Sequence, residues 1–163
     1  MTTIKSSQKF MPCLWFDRNA EEAAKYYTSV FKKSKMGKIS YYSEGGPMPA
    51  GTVLTVTFSI AGQEFMALNG GPQFKFTEAI SFMVNCKTQK EIDYYWEKLS
   101  KGGAKIECGW LKDKYGLFWQ IVPANIVTML TDRNKAKASR VMQAVWKMKK
   151  LNIKALQLAY NGK

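Results

Sequence analysis

MPCLWFDRNAEEAAKYYTSVF (residues 11–31) and AISFMVNCKTQKEIDYYWEKL (residues 79–99) are two copies of one pattern, 68 positions apart. Each opens with a short, mostly apolar run, which is typical of a strand, and continues with apolar residues at helical spacing. In the second copy, Thr88 and Glu91 have the spacing of a capping box at a helix N-terminus. The predicted elements are strands over 11–16 and 79–84 and helices over 19–31 and 88–99.

Strands follow each predicted helix, and two of them in each copy have a clear pattern. Residues 52–60 alternate apolar and polar side chains, turn at Ala61-Gly62 and return over 63–69. This period of two is typical of half-buried antiparallel strands. In the second copy the corresponding segments are 105–111, a turn at 113–116 and 117–122.

The sequence also predicts how three connections behave. Asp113 is expected to order the second turn, and Asp17 the entry into the first helix, because Asp favours turns and helix N-termini. The stretch 42–51 holds three glycines and two prolines, which predicts a mobile loop.

Each half is therefore a β-α-β-β-β module. One module cannot bury both faces of its four-stranded sheet, so two should pack as a pair. The predicted fold class is α+β, with two tandem modules, about 8–70 and 76–125, forming paired curved mixed sheets in a single domain of residues 1–126. Residues 127–163 are predicted to form a basic, helical C-terminal extension.

The positive charge is concentrated in this extension. Residues 131–163 hold nine lysines and arginines against one acidic residue, which supplies +8 of the net charge of +13. Apolar residues at helical spacing predict an amphipathic helix over 134–151, and Asn152 is placed to cap a second helix. The chain has three arginines, whereas base and phosphate recognition rely on Arg. The lysine-rich face is therefore interpreted as solvated surface, with neither nucleic acid nor a membrane as partner.

The absence of histidine from the sequence excludes several classes of site. The chain therefore cannot contain a Ser-His-Asp or Cys-His nucleophile, a histidine general base or a His-ligated metal. Cys13, Cys86 and Cys108 are odd in number and far apart, which predicts free thiols. No apolar run approaches the roughly 18 residues of a membrane span, and no secretory leader is recognisable, so we expect a cytoplasmic protein.

Three longer stretches carry a family resemblance: FMALNGGP at 65–72, FTEAISF at 76–82, and CGWLKDKYG at 108–116 continuing to WQIVP at 119–123. They resemble the PhnB-like branch of the vicinal oxygen chelate (glyoxalase, bleomycin resistance and dioxygenase) superfamily, which is often labelled 3-demethylubiquinone-9 3-methyltransferase. The resemblance covers residues 8–125. It implies the paired-module fold and a homodimer.

In that superfamily, four positions on the first and fourth strands of each module hold a divalent metal. The resemblance places these positions at Met11, Met66, Ala79 and Gln120, and a register error of one or two residues would substitute Cys13 and Ser81. Only Gln120 of the four offers an oxygen, whereas divalent ions need several oxygen, imidazole or thiolate ligands. We therefore expect these positions to be non-functional, with no metal and no cofactor.

Strand alternation predicts which side chains line the space between the paired sheets. If Leu14 and Phe16 face the helix, the neighbouring Cys13 and Trp15 face the other, concave side of the sheet. The predicted cavity lining is Cys13, Trp15, Met66, Leu68, Ser81, Met83, Phe118 and Gln120. It is apolar and rich in sulfur and aromatic groups, as small-molecule pockets often are. The alternative is a filled core, in which the same side chains interdigitate without a void.

The sequence thus predicts a protein that binds a small, largely apolar molecule, with catalysis left open. Methyl transfer is not expected. A nucleotide-like methyl donor usually sits on a Gly-rich turn after the first strand of a doubly wound sheet, and this sequence predicts neither the turn nor that sheet. Two alternatives remain: a metal-dependent lyase, isomerase or dioxygenase with atypical ligands, and a nucleic-acid or anionic-surface binder acting through residues 131–163.

Overall fold

The computed structural model describes residues 8–163, and the chain divides into two compact units, Met1–Lys75 and Phe76–Lys163. The prediction that no leader is present concerns residues 1–7 and lies outside the described residues. The division into a domain of residues 1–126 and an extension of residues 127–163 stays a prediction.

The first unit is one β-α-β-β-β module. Its elements are β1 (Cys13–Phe16), α1 (Ala20–Val30), β2 (Lys35–Tyr41), β3 (Val53–Ile60) and β4 (Gln63–Asn69). The sheet has the order β1-β4-β3-β2, with β1 parallel to β4 and the other pairs antiparallel.

The core of the first unit lies between α1 and one face of this sheet. Ala20, Ala23 and Ala24 are fully buried, so the helix backbone comes close to the strands. The ring of Tyr27 stacks on Phe58 at 6.2 Å between centroids, and Phe58 stacks on Phe65 at 5.3 Å. Val56, Phe58 and Ile60 are buried, whereas Thr55 and Thr57 are only half-buried, so the alternation predicted for residues 52–60 is confirmed.

The second unit begins with a copy of the same module. Its elements are β5 (Ser81–Cys86), α2 (Gln89–Ser100), β6 (Ala104–Lys105), β7 (Trp110–Lys112) and β8 (Phe118–Pro123). The strand order β5-β8-β7-β6 matches β1-β4-β3-β2 position by position. The duplication and the mixed-sheet α+β fold are thus confirmed.

Three helices complete the second unit: α3 (Ile126–Leu130), α4 (Lys135–Trp146) and α5 (Ile153–Asn161). Their apolar residues form a buried cluster with the end of β8, made of Val122, Ile126, Met129, Val141, Val145, Leu151 and Leu156. As predicted, Asn152 caps α5, accepting the Ala155 N–H at 2.9 Å.

The opening strands start two residues later than predicted, so Met11 and Ala79 precede β1 and β5 rather than lying in them. Pro12 has no N–H to donate, and only its carbonyl joins the sheet, accepting the Met66 N–H at 2.9 Å. Ala79 lies in a turn that the Ile80 N–H closes on the Thr77 carbonyl.

The predicted strand over 105–111 is broken into β6 and β7, and the predicted helix over 134–151 forms as α4 but ends at Trp146; one contact connects these two differences. Cys108 and Gly109 adopt left-handed conformations that break the strand. Their N–H groups donate to the Met148 and Lys149 carbonyls, both at 2.7 Å. Those carbonyls become available because α4 ends at Trp146.

The predicted role of Asp113 is confirmed, and that of Asp17 is wrong. The Asp113 carboxylate accepts backbone N–H groups across its own turn. Asp17 faces Arg18 at 3.8 Å, and the first N–H of α1, on Ala20, donates instead to the Asn69 side chain at 2.9 Å. Asn69 lies 49 positions after Ala20 in the sequence, so no local capping pattern could have predicted this bond.

We expect Thr88→Ala to lower the free energy of unfolding by about 1 kcal/mol. The Thr88 hydroxyl accepts the Glu91 N–H at 3.2 Å, and the Glu91 carboxylate accepts the Thr88 N–H at 3.3 Å, so the predicted capping box is confirmed. Urea unfolding measures the change. Thr28→Ala, in the last turn of α1, is the control and should change stability by less than about 0.5 kcal/mol, because alanine is the better helix former. Equal losses would contradict a capping role.

Candidate functional site

The first unit gathers four of the predicted cavity residues on the sheet face that α1 does not cover. The strand register sets Cys13 opposite Met66 and Trp15 opposite Leu68. Leu14, between them, is buried on the other face with the helix. We call the four residues the Trp15 face. Its thiol, thioether, indole and aliphatic groups offer an apolar, polarisable surface.

Trp15 is held firmly in this face. Its indole N–H donates to the Gly71 carbonyl at 2.8 Å, and its ring meets Phe74 edge-on at 5.0 Å between centroids. A Cβ on Gly70 would come within 2.3 Å of the indole ring, which shows how closely the backbone passes. Trp15 therefore presents a fixed surface rather than a mobile one.

The second unit repeats the arrangement with the other four predicted residues. Ser81 pairs with Phe118, and Met83 pairs with Gln120. The alternate residues of β7 and β8, Leu111, Trp119 and Ile121, are all buried. We call Ser81, Met83, Phe118 and Gln120 the Gln120 face. Phe118 is buried, whereas Met83 is 46% exposed.

The polar groups of the Gln120 face bind each other. The Gln120 amide N–H donates to the Ser81 hydroxyl oxygen at 2.9 Å. This bond fixes the side-chain amide and leaves its carbonyl oxygen and the Ser81 hydroxyl proton for another partner. Sequence reasoning placed both residues on one face but missed their hydrogen bond. It also missed Trp110, which pairs with Gln120 across β7 and β8.

The residues at the superfamily metal positions do not fit a divalent ion. With Met11 and Ala79 outside the strands, Cys13 and Ser81 open the strand faces, so the first unit offers a thiol and a thioether, from Cys13 and Met66, and the second a hydroxyl and an amide, from Ser81 and Gln120. Burial raises the pKa of Cys13, which disfavours the thiolate that a metal would need. Within residues 8–163, no group of three or more His, Cys, Asp or Glu side chains is placed to hold a metal.

We expect Cys86 to resist iodoacetamide at pH 8 in the folded protein while Cys13 reacts. Burial, and secondarily the charge of Glu91, raises the pKa of Cys86 to about 12, so its thiol stays protonated until the pH approaches that value. Partial burial also raises the pKa of Cys13, but this residue is exposed enough for the reagent to reach its thiol. Peptide mapping by mass spectrometry, with and without urea, measures the labelling. Equal labelling rates in the folded protein would contradict the structure.

Within residues 8–163, no helix has the combined length and hydropathy that crossing a bilayer requires.

Comparisons with known proteins agree with this geometry. The family model described as 3-demethylubiquinone-9 3-methyltransferase matches residues 8–122. A solved Bacillus cereus structure, described as a PhnB protein, is 42% identical; the match covers 72% of this chain and 100% of that one, with a TM-score of 0.66. No functionally curated protein matches the sequence.

Two more distant structures share the fold. A Pseudomonas aeruginosa protein is 18% identical, with 70% of this chain and 96% of that one covered and a TM-score of 0.58. The fosfomycin resistance protein FosX of Listeria monocytogenes is 17% identical, with 78% and 99% covered and a TM-score of 0.52. At such identities the likeness concerns the fold alone.

Proposed function

Since this chain belongs to the 3-demethylubiquinone-9 3-methyltransferase family, in its PhnB-like branch with the glyoxalase-like fold, we propose that it binds a small, largely apolar molecule without a resident metal ion. Each unit offers one candidate binding surface, the Trp15 face in the first unit and the Gln120 face in the second.

One observation carries this proposal: the strand register aligns the predicted residues as direct cross-strand pairs on the sheet faces opposite the buried cores. Thioether, indole and phenyl groups give dispersion contacts without demanding hydrogen bonds. On the Gln120 face of the second unit, the Gln120 amide, fixed by Ser81, is the polar group suited to orient a carbonyl or hydroxyl of a bound molecule.

The chemistry of the faces supports binding more than methyl transfer. A methyl donor built on a nucleotide usually rests on a Gly-rich turn after the first strand of a doubly wound parallel sheet. Here β1 is followed by Asp17-Arg18-Asn19, and both sheets are mixed. The buried Asp113 carboxylate is not available as a general base, because it already accepts backbone N–H groups of its own turn.

The proposal includes a homodimer in the cytoplasm. Phe10 and Ile80 are 81% and 70% exposed, and large exposed apolar side chains favour association. The described cysteines are all free thiols, in keeping with a reducing compartment.

Native mass spectrometry of the purified full chain tests the proposal through any co-purifying small molecule. Met66→Trp and Trp15→Ala alter the volume of the Trp15 face and are expected to reduce the bound fraction severalfold. Val127→Trp adds the same indole on an exposed site of α3 and is the control. A ligand retained equally by all variants, or a bound metal ion in its place, would contradict the proposal.

A second candidate, binding of nucleic acid or another polyanion, is favoured by the charge of +8 in residues 131–163. Deleting this segment is not a clean test, because Val141, Leu151 and Leu156 belong to a buried cluster. Replacing the exposed Lys135, Lys147 and Lys154 with glutamine leaves that cluster intact. Replacing Lys32, Lys35 and Lys38 in the first unit is the matched control. Salt-dependent binding of duplex DNA that only the first triple variant loses would favour this candidate.

A further inference from the structure

A cavity of about 660 Å³ opens in the first unit at the edge of the sheet where β1 and β4 end. Its volume lies in the range of small-molecule sites. Three connections line it: the start of α1 with the residues before it, the loop between β2 and β3, and the segment after β4. None of its lining residues belongs to the Trp15 face, although Gly70 and Gly71 of the lining contact the Trp15 ring, so this is a distinct but neighbouring site.

The floor of the cavity is rigid because Asn69 joins its three sides. The Asn69 side chain is buried; its carbonyl accepts the Ala20 N–H at 2.9 Å, and its amide donates to the Val53 carbonyl at 3.0 Å. The Asn69 backbone carbonyl accepts the Tyr42 hydroxyl at 2.6 Å. A preformed floor lowers the ordering cost of binding.

The loop between β2 and β3 forms an apolar wall of the cavity. Tyr42 pairs with the far end of the loop, its N–H donating to the Thr52 carbonyl and its carbonyl accepting the Gly51 N–H, both at 2.9 Å. The Thr52 hydroxyl donates to the Pro49 carbonyl at 2.7 Å. These bonds present Pro47, Met48 and Pro49 to the cavity, with Pro72 also in the lining.

Polar groups with spare hydrogen-bonding capacity stand beside this wall. The Arg18 side chain is 83% exposed, and its Nε lies 3.8 Å from the Asp17 carboxylate, too far for a hydrogen bond. The Gln73 amide, at an exposed position, also lines the cavity. The other charged lining residue, Glu21, is offset by Lys25, with Oε1 and Nζ 2.6 Å apart.

We propose that this cavity binds a monocarboxylate with an apolar body, in which the Arg18 guanidinium takes the carboxylate and the proline-rich wall takes the body. A guanidinium matches a carboxylate with two parallel N–H donors, and charge-assisted bonds are stronger than neutral ones. The Gln73 amide supplies a further donor. Glu21 is already paired, so it does not favour a cationic ligand over an anionic one.

Calorimetric titration of the full-length protein with hexanoate, hexanamide and hexylamine tests the charge requirement. We expect saturable hexanoate binding, at least about tenfold weaker binding of the isosteric hexanamide, and no saturable binding of hexylamine. Equal binding of acid and amide, preference for the amine, or no saturable hexanoate binding at millimolar concentrations would each overturn the proposal.

Paired variants test the assignment to Arg18. Arg18→Gln is expected to weaken hexanoate binding about tenfold, whereas Arg133→Gln, the same change at an exposed position of the second unit, should leave the affinity within about twofold. Glu21→Gln should leave hexanoate binding unchanged or tighter. Equal losses in the two arginine variants would assign the effect to overall charge and overturn the proposal.

This site and the proposed function fail separately. Met66→Trp, on the Trp15 face, should leave hexanoate binding unchanged, and Arg18→Gln should leave the co-purifying molecule in place. A loss of hexanoate binding in Met66→Trp would place the carboxylate on the Trp15 face and contradict the separate site.

Discussion

Replacing Asp113 with alanine is expected to lower the free energy of unfolding by about 3 kcal/mol or more. The side chain is 1% exposed and holds the turn between β7 and β8. One carboxylate oxygen accepts the Tyr115 and Leu117 N–H groups at 2.9 and 3.0 Å, and the other accepts the Trp119 indole N–H at 2.8 Å. Alanine would leave these donors without their acceptor.

Urea unfolding followed by tryptophan fluorescence measures this loss, since Trp119 is one of the donors. Asp113→Asn keeps a carbonyl for the turn but sets an amide N–H against the indole N–H, so an intermediate loss is expected. Glu78→Ala, at an exposed position, should change stability by less than about 0.5 kcal/mol. A loss below about 1 kcal/mol for Asp113→Ala would contradict the buried network.

Leu151→Ala is expected to cost about 2–5 kcal/mol, although Leu151 lies in the connection between α4 and α5. The side chain is 1% exposed and belongs to the cluster that joins the C-terminal helices to β8. Its backbone is fixed as well, because the Gln89 side chain donates to the Leu151 carbonyl at 3.1 Å and accepts the Ile153 N–H at 2.9 Å.

Leu158→Ala is the matched control for this substitution. Leu158 lies on α5 and is 41% exposed, so the same truncation should cost less than about 1 kcal/mol. Urea unfolding of both variants provides the comparison. Similar losses at the two positions would mean that the C-terminal helices are peripheral to the second unit rather than part of its core.

The duplicated module could be predicted because its signals are local. The alternation of residues 52–60 and the Thr88–Glu91 capping box depend on neighbours a few positions apart, and both are confirmed. The same period of two assigned Cys13 and Trp15 to one face of their sheet correctly.

The errors arise where distant segments compete for the backbone. The break at Cys108-Gly109 is stabilised by carbonyls about 40 residues further on, and no local pattern contains them. Asn69 substitutes for Asp17 at the start of α1 for the same reason. The Gln120–Ser81 bond and the cavity around Asn69 also join remote stretches, so the sequence predicted the faces but not how their polar groups pair.

Elemental analysis of the full-length protein, purified without added metal and then dialysed against Mn²⁺, Zn²⁺ or Ni²⁺, tests the central claim most directly. Neither the Cys13 thiol and Met66 thioether of the first unit nor the Ser81 hydroxyl and Gln120 amide of the second suit these ions. We therefore predict less than about 0.1 metal ion per chain under every condition. One divalent ion retained per chain, and lost on Gln120→Ala, would contradict the account.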